Sequence, residues 1–481
     1  MRVDMGDKQP REACSRRITG DTQFMFQFYK PCIQFYAPSG QTSTCMQQER
    51  LQASLVVALH SCPLLFGRFV IQKDLSVELA YDPRAPNSPT IEFQHVAVTY
   101  GELAAGGFAY SLARTHGLDM DIPDGAIVRG FDRPMLMLKV SFLGDGGVAV
   151  FNMSNHVAFD GNAIFSFLAH WARCNAQRQS PQPAELPDEL QLYATSLVPH
   201  TGRQPLEGPR EISVDASMTP AELSEHTAKL VSPADVCAGV FEISLASLAD
   251  MKRAVAESGV LGAGEWVSSA AVLTAFVAQC VARANTAGQT YEYGGWTVFQ
   301  TLDMRRPLGL AQRGLGSPLM LAELQVGPET LMDPAQLPTL ARDVRRSVGR
   351  YSAEYLQDAM DWMHATYGRL AQSGVDQPWR HFWFSALNTN RRTVGVSCMD
   401  RIPVYEADFG AGRPRMARSF NPRPNYVIVF PGPPPPPQDT TGGTLAAHTA
   451  LHLYVTLERP AMRELRRDSQ WAARCTLISD F

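Results

Sequence analysis

The sequence predicts an α/β (α+β) protein in two parts, and three observations carry that reading. Its 481 residues suit two or three domains of roughly 150–250 residues each. Apolar and aromatic strand-like runs alternate with segments of helical periodicity. Between the halves, from Gln177 to about Arg210, the chain is rich in Pro, Gln and Glu and keeps no sustained period, the composition of a long crossover. The expected division is 1–180, a linker at 181–212, and 213–481.

In chain order, Phe24–Phe28 and Ile33–Tyr36 are aromatic-rich strand candidates. Glu49–His60 places Leu51, Leu55, Val56 and Leu59 on one helical face, and Pro63, which lacks an amide donor, ends it. Met135–Phe142 and Val148–Asn152 read as strands joined by Gly144-Asp145-Gly146-Gly147, a composition suited to a tight hairpin turn. A helical pattern then runs through Ile164, Phe167, Leu168 and Trp171. In the second half, Val240–Ile243 is a strand, Leu248, Met251 and Ala254 mark a helix, and Ser268 or Ser269 can cap a buried helix over Val267–Ala284. Trp296–Leu302, Tyr426–Phe430 and Leu451–Leu457 complete the strands, the last two flanking a proline run, Pro433–Pro437, that reads as a solvent loop.

Composition excludes several classes of function. Hydrophobic residues at 45 % and charged residues at 19 % are a globular balance, not a disordered one. Lys+Arg 43 against Asp+Glu 47, with no long basic block, argues against a nucleic-acid binder held by phosphate neutralisation. Nine cysteines without a Cys-x-x-Cys pair suit neither a disulfide framework nor a zinc ribbon. The longest apolar stretch, Trp266–Ala284, is interrupted by Ser268, Ser269, Thr274 and Gln279, so no membrane span is expected. The first twenty residues lack the apolar centre of a secretory signal, which makes the cytoplasm the expected location.

Phosphate-loop, nucleophile-elbow and His-Glu-x-x-His signatures are missing. His116 with Asp119 and Asp121 lacks a further metal ligand, and Asp361 with His364 lacks a third partner, so no metal site is expected; Cys398, weighed as a nucleophile, has no sequence feature that would lower its thiol pKa and reads as packing. His156-Val157-Ala158-Phe159-Asp160-Gly161 differs in kind. Eleven histidines yield His-x-x-x-Asp-Gly by chance only on the order of 0.04 times at average residue usage. It also stands where a strand hands over to a helix, which holds a side chain firmly yet within reach of a ligand. An imidazole there can take a proton from an acceptor and return it to a leaving group.

His156–Gly161 resembles the His-x-x-x-Asp-Gly motif of the BAHD acyltransferases, which move an acyl group from coenzyme A to an alcohol or amine. Asp408-Phe409-Gly410-Ala411-Gly412-Arg413-Pro414, preceded by Tyr405-Glu406, resembles the family's second motif, Asp-Phe-Gly-Trp-Gly-Lys-Pro. Leu51–Arg68, Phe241–Lys252, Ser268–Ala284 and Asp303-Met304-Arg305 are weaker similarities in the family's order, so the likeness spans nearly the whole chain. The chain departs from the family at Ala411 and at Arg413, and Ser397-Cys398-Met399 aligns with its Thr-Ser-Trp segment. Ser397 keeps a hydroxyl donor there, but Met399 cannot replace an indole N–H.

The resemblance implies two similar, chloramphenicol-acetyltransferase-like lobes, with mostly antiparallel or mixed sheets and helices, and an active-site channel at their interface. It implies His156 as general base, Asp160 as support paired with Arg305, Ser397 as oxyanion donor, and Asp408, Phe409, Gly410 and Gly412 as a structural loop. Acyl-CoA, acetyl-CoA by default, would be a co-substrate rather than a bound cofactor, with a small-molecule alcohol or amine as acceptor and a monomer as the expected state. Three alternatives stay open: a condensation-type enzyme with a carrier-protein-bound donor, a non-catalytic binding relative, and, outside the fold family, a plain structural protein for which both motifs would be coincidence.

Overall fold

The computed structural model describes residues 2–4, 12–18, 29–60, 62–72, 77–120, 133–177, 201, 207–219, 221–222, 235–287, 295–310, 314–375, 378–387, 392–419, 423–435 and 448–480. The strand expected at Phe24–Phe28, most of the crossover, Asp121 and the end of the proline run lie outside the described residues.

In the first part the strands are β1 (Cys14–Ile18), β2 (Tyr29–Tyr36), β3 (Arg68–Ile71), β4 (Val77–Tyr81), β5 (Thr90–His95), β6 (Leu136–Phe142) and β7 (Val148–Asn155). In the second they are β8 (Ile212–Val214), β9 (Val236–Ser244), β10 (Trp296–Asp303), β11 (Leu319–Val326), β12 (Phe382–Phe384), β13 (Thr393–Cys398), β14 (Met416–Ser419), β15 (Tyr426–Pro431), β16 (Ala450–Glu458) and β17 (Cys475–Asp480). Two sheets dominate: a five-stranded one in the order β14-β2-β7-β6-β5 and a seven-stranded one in the order β11-β10-β13-β15-β16-β9-β17. Both are mixed, with parallel pairs at β5/β6, β10/β13 and β13/β15 and antiparallel pairs elsewhere. The main helices are α1 (Gln48–His60), α2 (Gly161–Ala176), α3 (Leu245–Glu257), α4 (Ser269–Thr286), α5 (Leu337–Val348) and α6 (Ala353–Gln372). None of the described helices is long and apolar enough to cross a membrane.

The sheets do not follow the division at 181–212. β14 comes late in the chain yet adds to the first sheet, pairing Arg418 with Ile33 and Ser419 with Cys32. The end of the crossover is also packed: Glu211 is 1 % exposed and accepts a hydrogen bond from Tyr351 at 2.7 Å.

Helix α2 positions the site. Asp160 caps its start by accepting from the Ala163 N–H at 2.8 Å, satisfying a donor that has no partner within the helix. The helix is buried on almost every side, as its apolar composition requires. Trp171 donates to the Leu51 carbonyl of α1 at 3.1 Å, while Phe165 meets Phe430 of β15 edge-on at 5.9 Å. It therefore packs against both lobes. In the second lobe Ser268 caps α4, accepting from the Ala271 N–H at 3.0 Å, as expected from the sequence.

Candidate active site

A cavity of about 420 Å³ opens between the two large sheets, within the range of small-molecule sites. Lys30, Cys32, Asn152, Ser154, His156 and Gly161 line it from the first lobe, and Thr301, Asp303, Ser397, Met399, Tyr426 and Phe430 from the second. Strand β7 runs to Asn155, three residues beyond the expected Asn152, so His156 follows its last paired residue directly. Side chains alternate along a strand, so Asn152, Ser154 and His156 share a face, and cross-strand pairing sets Cys32 and Lys30 beside the first two. The opposite face packs a separate core containing Tyr29, Ile33, Phe151 and Met153.

The turn after β7 is gripped by the second lobe. Phe159 forms a bridge with Gly316; the Asp160 N–H donates to the Gly316 carbonyl at 3.1 Å, and the Gly316 N–H to the Ala158 carbonyl at 2.8 Å. Arg305, fully buried, makes a two-pronged ion pair with Asp160 at 2.5 and 3.1 Å. It also donates to Asp303 at 3.1 Å and to the Gly314 and Gly316 carbonyls at 2.9 and 3.1 Å. Arg305 thus holds both ends of the contact between the loops. A Cβ at Gly161 would lie 2.5 Å from the Met399 sulfur, so a larger residue there would push that side chain aside.

His156 Nδ1 lies 3.0 Å from the Ser317 hydroxyl. Burial first, then the nearby Lys30 charge, push the imidazole down to about 4, so it is neutral at pH 7. Ser397 lies at the end of β13, 7 % exposed, and its hydroxyl has no hydrogen-bond partner among the described residues. Burial pushes the neighbouring Cys398 thiol up, away from the thiolate form. Ser317 and Gly316 carry no signal in the sequence beyond two small residues before β11.

The second motif lies outside the cavity lining. Asp408 accepts from the Gly410 and Gly412 N–H groups at 2.8 and 2.9 Å; both glycines have φ near +90°, which other residues rarely adopt. Phe409 is fully buried against Trp171 at 4.8 Å, and its carbonyl accepts from Asn175 at 2.7 Å. The motif staples the chain to the end of α2. Among the described residues no group of three or more His, Cys, Asp or Glu can hold a metal ion.

Two sheet-based lobes sharing a histidine-bearing cavity define a two-lobed α/β fold. Residues 120–470 match the profile of the Transferase family, and the chain belongs to that family, the BAHD-type acyltransferases. It is similar to a hydroxycinnamoyltransferase of Narcissus pseudonarcissus, 23 % identical over 400 residues, 81 % of this chain and 82 % of that protein. Its fold is similar to TRI101 of F. sporotrichioides, solved with coenzyme A and T-2, with a TM-score of 0.73 at 17 % identity over 96 % of this chain and all of that one. Vinorine synthase gives 0.64 at 16 % identity over 96 % and 94 % of the two chains.

Proposed function

We propose that the chain transfers an acyl group, acetyl by default, from coenzyme A to a hydroxyl of a small-molecule acceptor, with His156 as general base. The observation that carries this reading is the setting of His156. It stands between the lobes with Nδ1 against Ser317 and the ring neutral. With Nδ1–H donating to Ser317, the Nε2 lone pair is free to accept a proton.

The acceptor O–H bond breaks as Nε2 takes its proton, and the oxygen attacks the thioester carbonyl. The resulting tetrahedral oxyanion accepts a hydrogen bond from Ser397. Collapse breaks the C–S bond, and the imidazolium returns its proton to the departing thiolate, giving ester and free thiol. Asp160 and Arg305 position the loop and touch no reacting atom.

The test is a melting panel with coenzyme A, acetyl-CoA and longer acyl-CoAs, paired with thiol-release assays on His156→Ala. A ligand at 100 times its dissociation constant adds about 2.7 kcal/mol, enough to move the melting temperature. Shifts with acyl-CoAs, together with a loss of about 100- to 10,000-fold in His156→Ala at unchanged melting temperature, support the reading. No shift with any coenzyme A species would move the donor to a carrier protein, or the chain to a binding role.

A further inference from the structure

On the cavity face of β2, Lys30 is half-buried and has no carboxylate or hydrogen-bond acceptor among the described residues. Its registered neighbour across β7 is Ser154, 1 % exposed, whose hydroxyl is also without a partner; beside it Asn152, fully buried, has an unpartnered Oδ1. The acidic groups at this cavity are already engaged: Asp160 and Asp303 by Arg305, and Asp400 by Arg401 at 3.9 Å. Burying an ammonium without a counterion is costly, and the nearby Arg423 charge adds to that cost. The charge is left for a group that arrives from outside.

We propose that the acceptor carries a carboxylate, and that Lys30, with the Ser154 hydroxyl, is the subsite that selects it. One ammonium and one hydroxyl match a monoanion. Ser154 and His156 are two positions apart on the same face, roughly 7 Å of strand. The acceptor's hydroxyl and carboxylate therefore lie several bonds apart, as in aromatic or alicyclic hydroxy acids and not in α-hydroxy acids.

This assignment rests on the acyltransferase reading, and its test separates the two. Hydroxybenzoates, hydroxyphenylpropionates and hydroxycyclohexanecarboxylates are assayed beside their methyl esters with acetyl-CoA, by thiol release and product mass, and by melting shift. The wild type should prefer acids about tenfold or more in kcat/KM, the scale of one charge-assisted hydrogen bond. Lys30→Met should abolish that preference and Lys30→Arg retain it, with the acetyl-CoA melting shift reporting an intact fold in both. Esters used as well as acids, or an equal slowing of both in Lys30→Met, would overturn the assignment; the latter marks a role at the oxyanion. So would an acetyl-CoA shift with no acid bound or turned over. Loss of the acetyl-CoA shift from the wild type itself sinks the acyltransferase reading and this assignment with it.

Discussion

Arg305 and Arg418 are both fully buried and both join distant parts of the chain, yet their charges are met differently. Arg305 faces two carboxylates, Asp160 and Asp303. Arg418, on β14, has no carboxylate among the described residues. It donates to the carbonyls of Gly107, Phe108 and Ala417 at 2.8, 3.2 and 3.1 Å, with His452 Nδ1 at 3.4 Å. The first arrangement grips the turn that presents His156. The second clasps Gly107 and Phe108, which both hold positive φ, a conformation a phenylalanine rarely adopts. A charge pair suits a site whose geometry must be fixed; carbonyl dipoles suffice for a clasp that only has to hold.

The largest expected effect breaks the charge pair. Asp160→Asn keeps an oxygen to cap α2 but leaves Arg305 with Asp303 alone, and should cost about 3 kcal/mol, the low end for breaking a buried pair. Activity should fall with it, because the His156 turn loses its grip. Asp160→Ala also removes the cap and should cost about 1 kcal/mol more. Denaturant titration and thiol release read both quantities, and an Asp160→Asn protein as stable as wild type would show that the pair carries no net stabilisation.

Arg418→Met comes next, at about 2 kcal/mol, because it leaves buried carbonyls without donors but no buried charge unpaired. Its melting temperature should fall while kcat stays within a few-fold of wild type. A loss of activity as large as that of Asp160→Asn would erase the distinction between the two arginines.

What the sequence disclosed follows the same line. His156, Asp160 and Gly161 were legible because a strand, a turn and a helix start are local events with their own residue preferences. Asp408, Gly410 and Gly412 were singled out only by the resemblance to the family's second motif; that a carboxylate closes a glycine turn there is visible in the structure alone. Ser317 was not: it meets His156 across 161 residues of chain, through a lobe contact that no periodicity encodes. Nor was β14, since Met-Ala-Arg-Ser lacks an apolar run and becomes a strand only where β2 offers its edge. Lys30 fell between the two strands expected at Phe24–Phe28 and Ile33–Tyr36, and only the register of β2 on β7 showed which face it takes.

A third expected effect, no larger than that of Arg418→Met and read only on acidification, sharpens the comparison through His452. This residue is 1 % exposed, and burial, then the Arg418 charge, push it down from 6.5 to about 3. Glu242, its carboxylate 3.3 Å from Nε2 but 41 % exposed, opposes this weakly. The unfolded chain takes up the proton first, so this contribution is intact above pH 6.5 and is lost as pH falls toward 3. Between pH 6.5 and 5 one such proton costs about 2 kcal/mol. His156 and His170, each pushed down to about 4, add to the same acid slope. At the other arginine, burial raises Asp303, which gives the opposite sign: stability present at low pH and lost as pH rises. His452→Gln should therefore flatten the fall of melting temperature between pH 6.5 and 5, whereas Asp303→Asn should leave that fall unrelieved. Parallel acid slopes in His452→Gln and wild type would mean that His452 takes up its proton in the folded state, so that the Arg418 clasp tolerates a second positive charge.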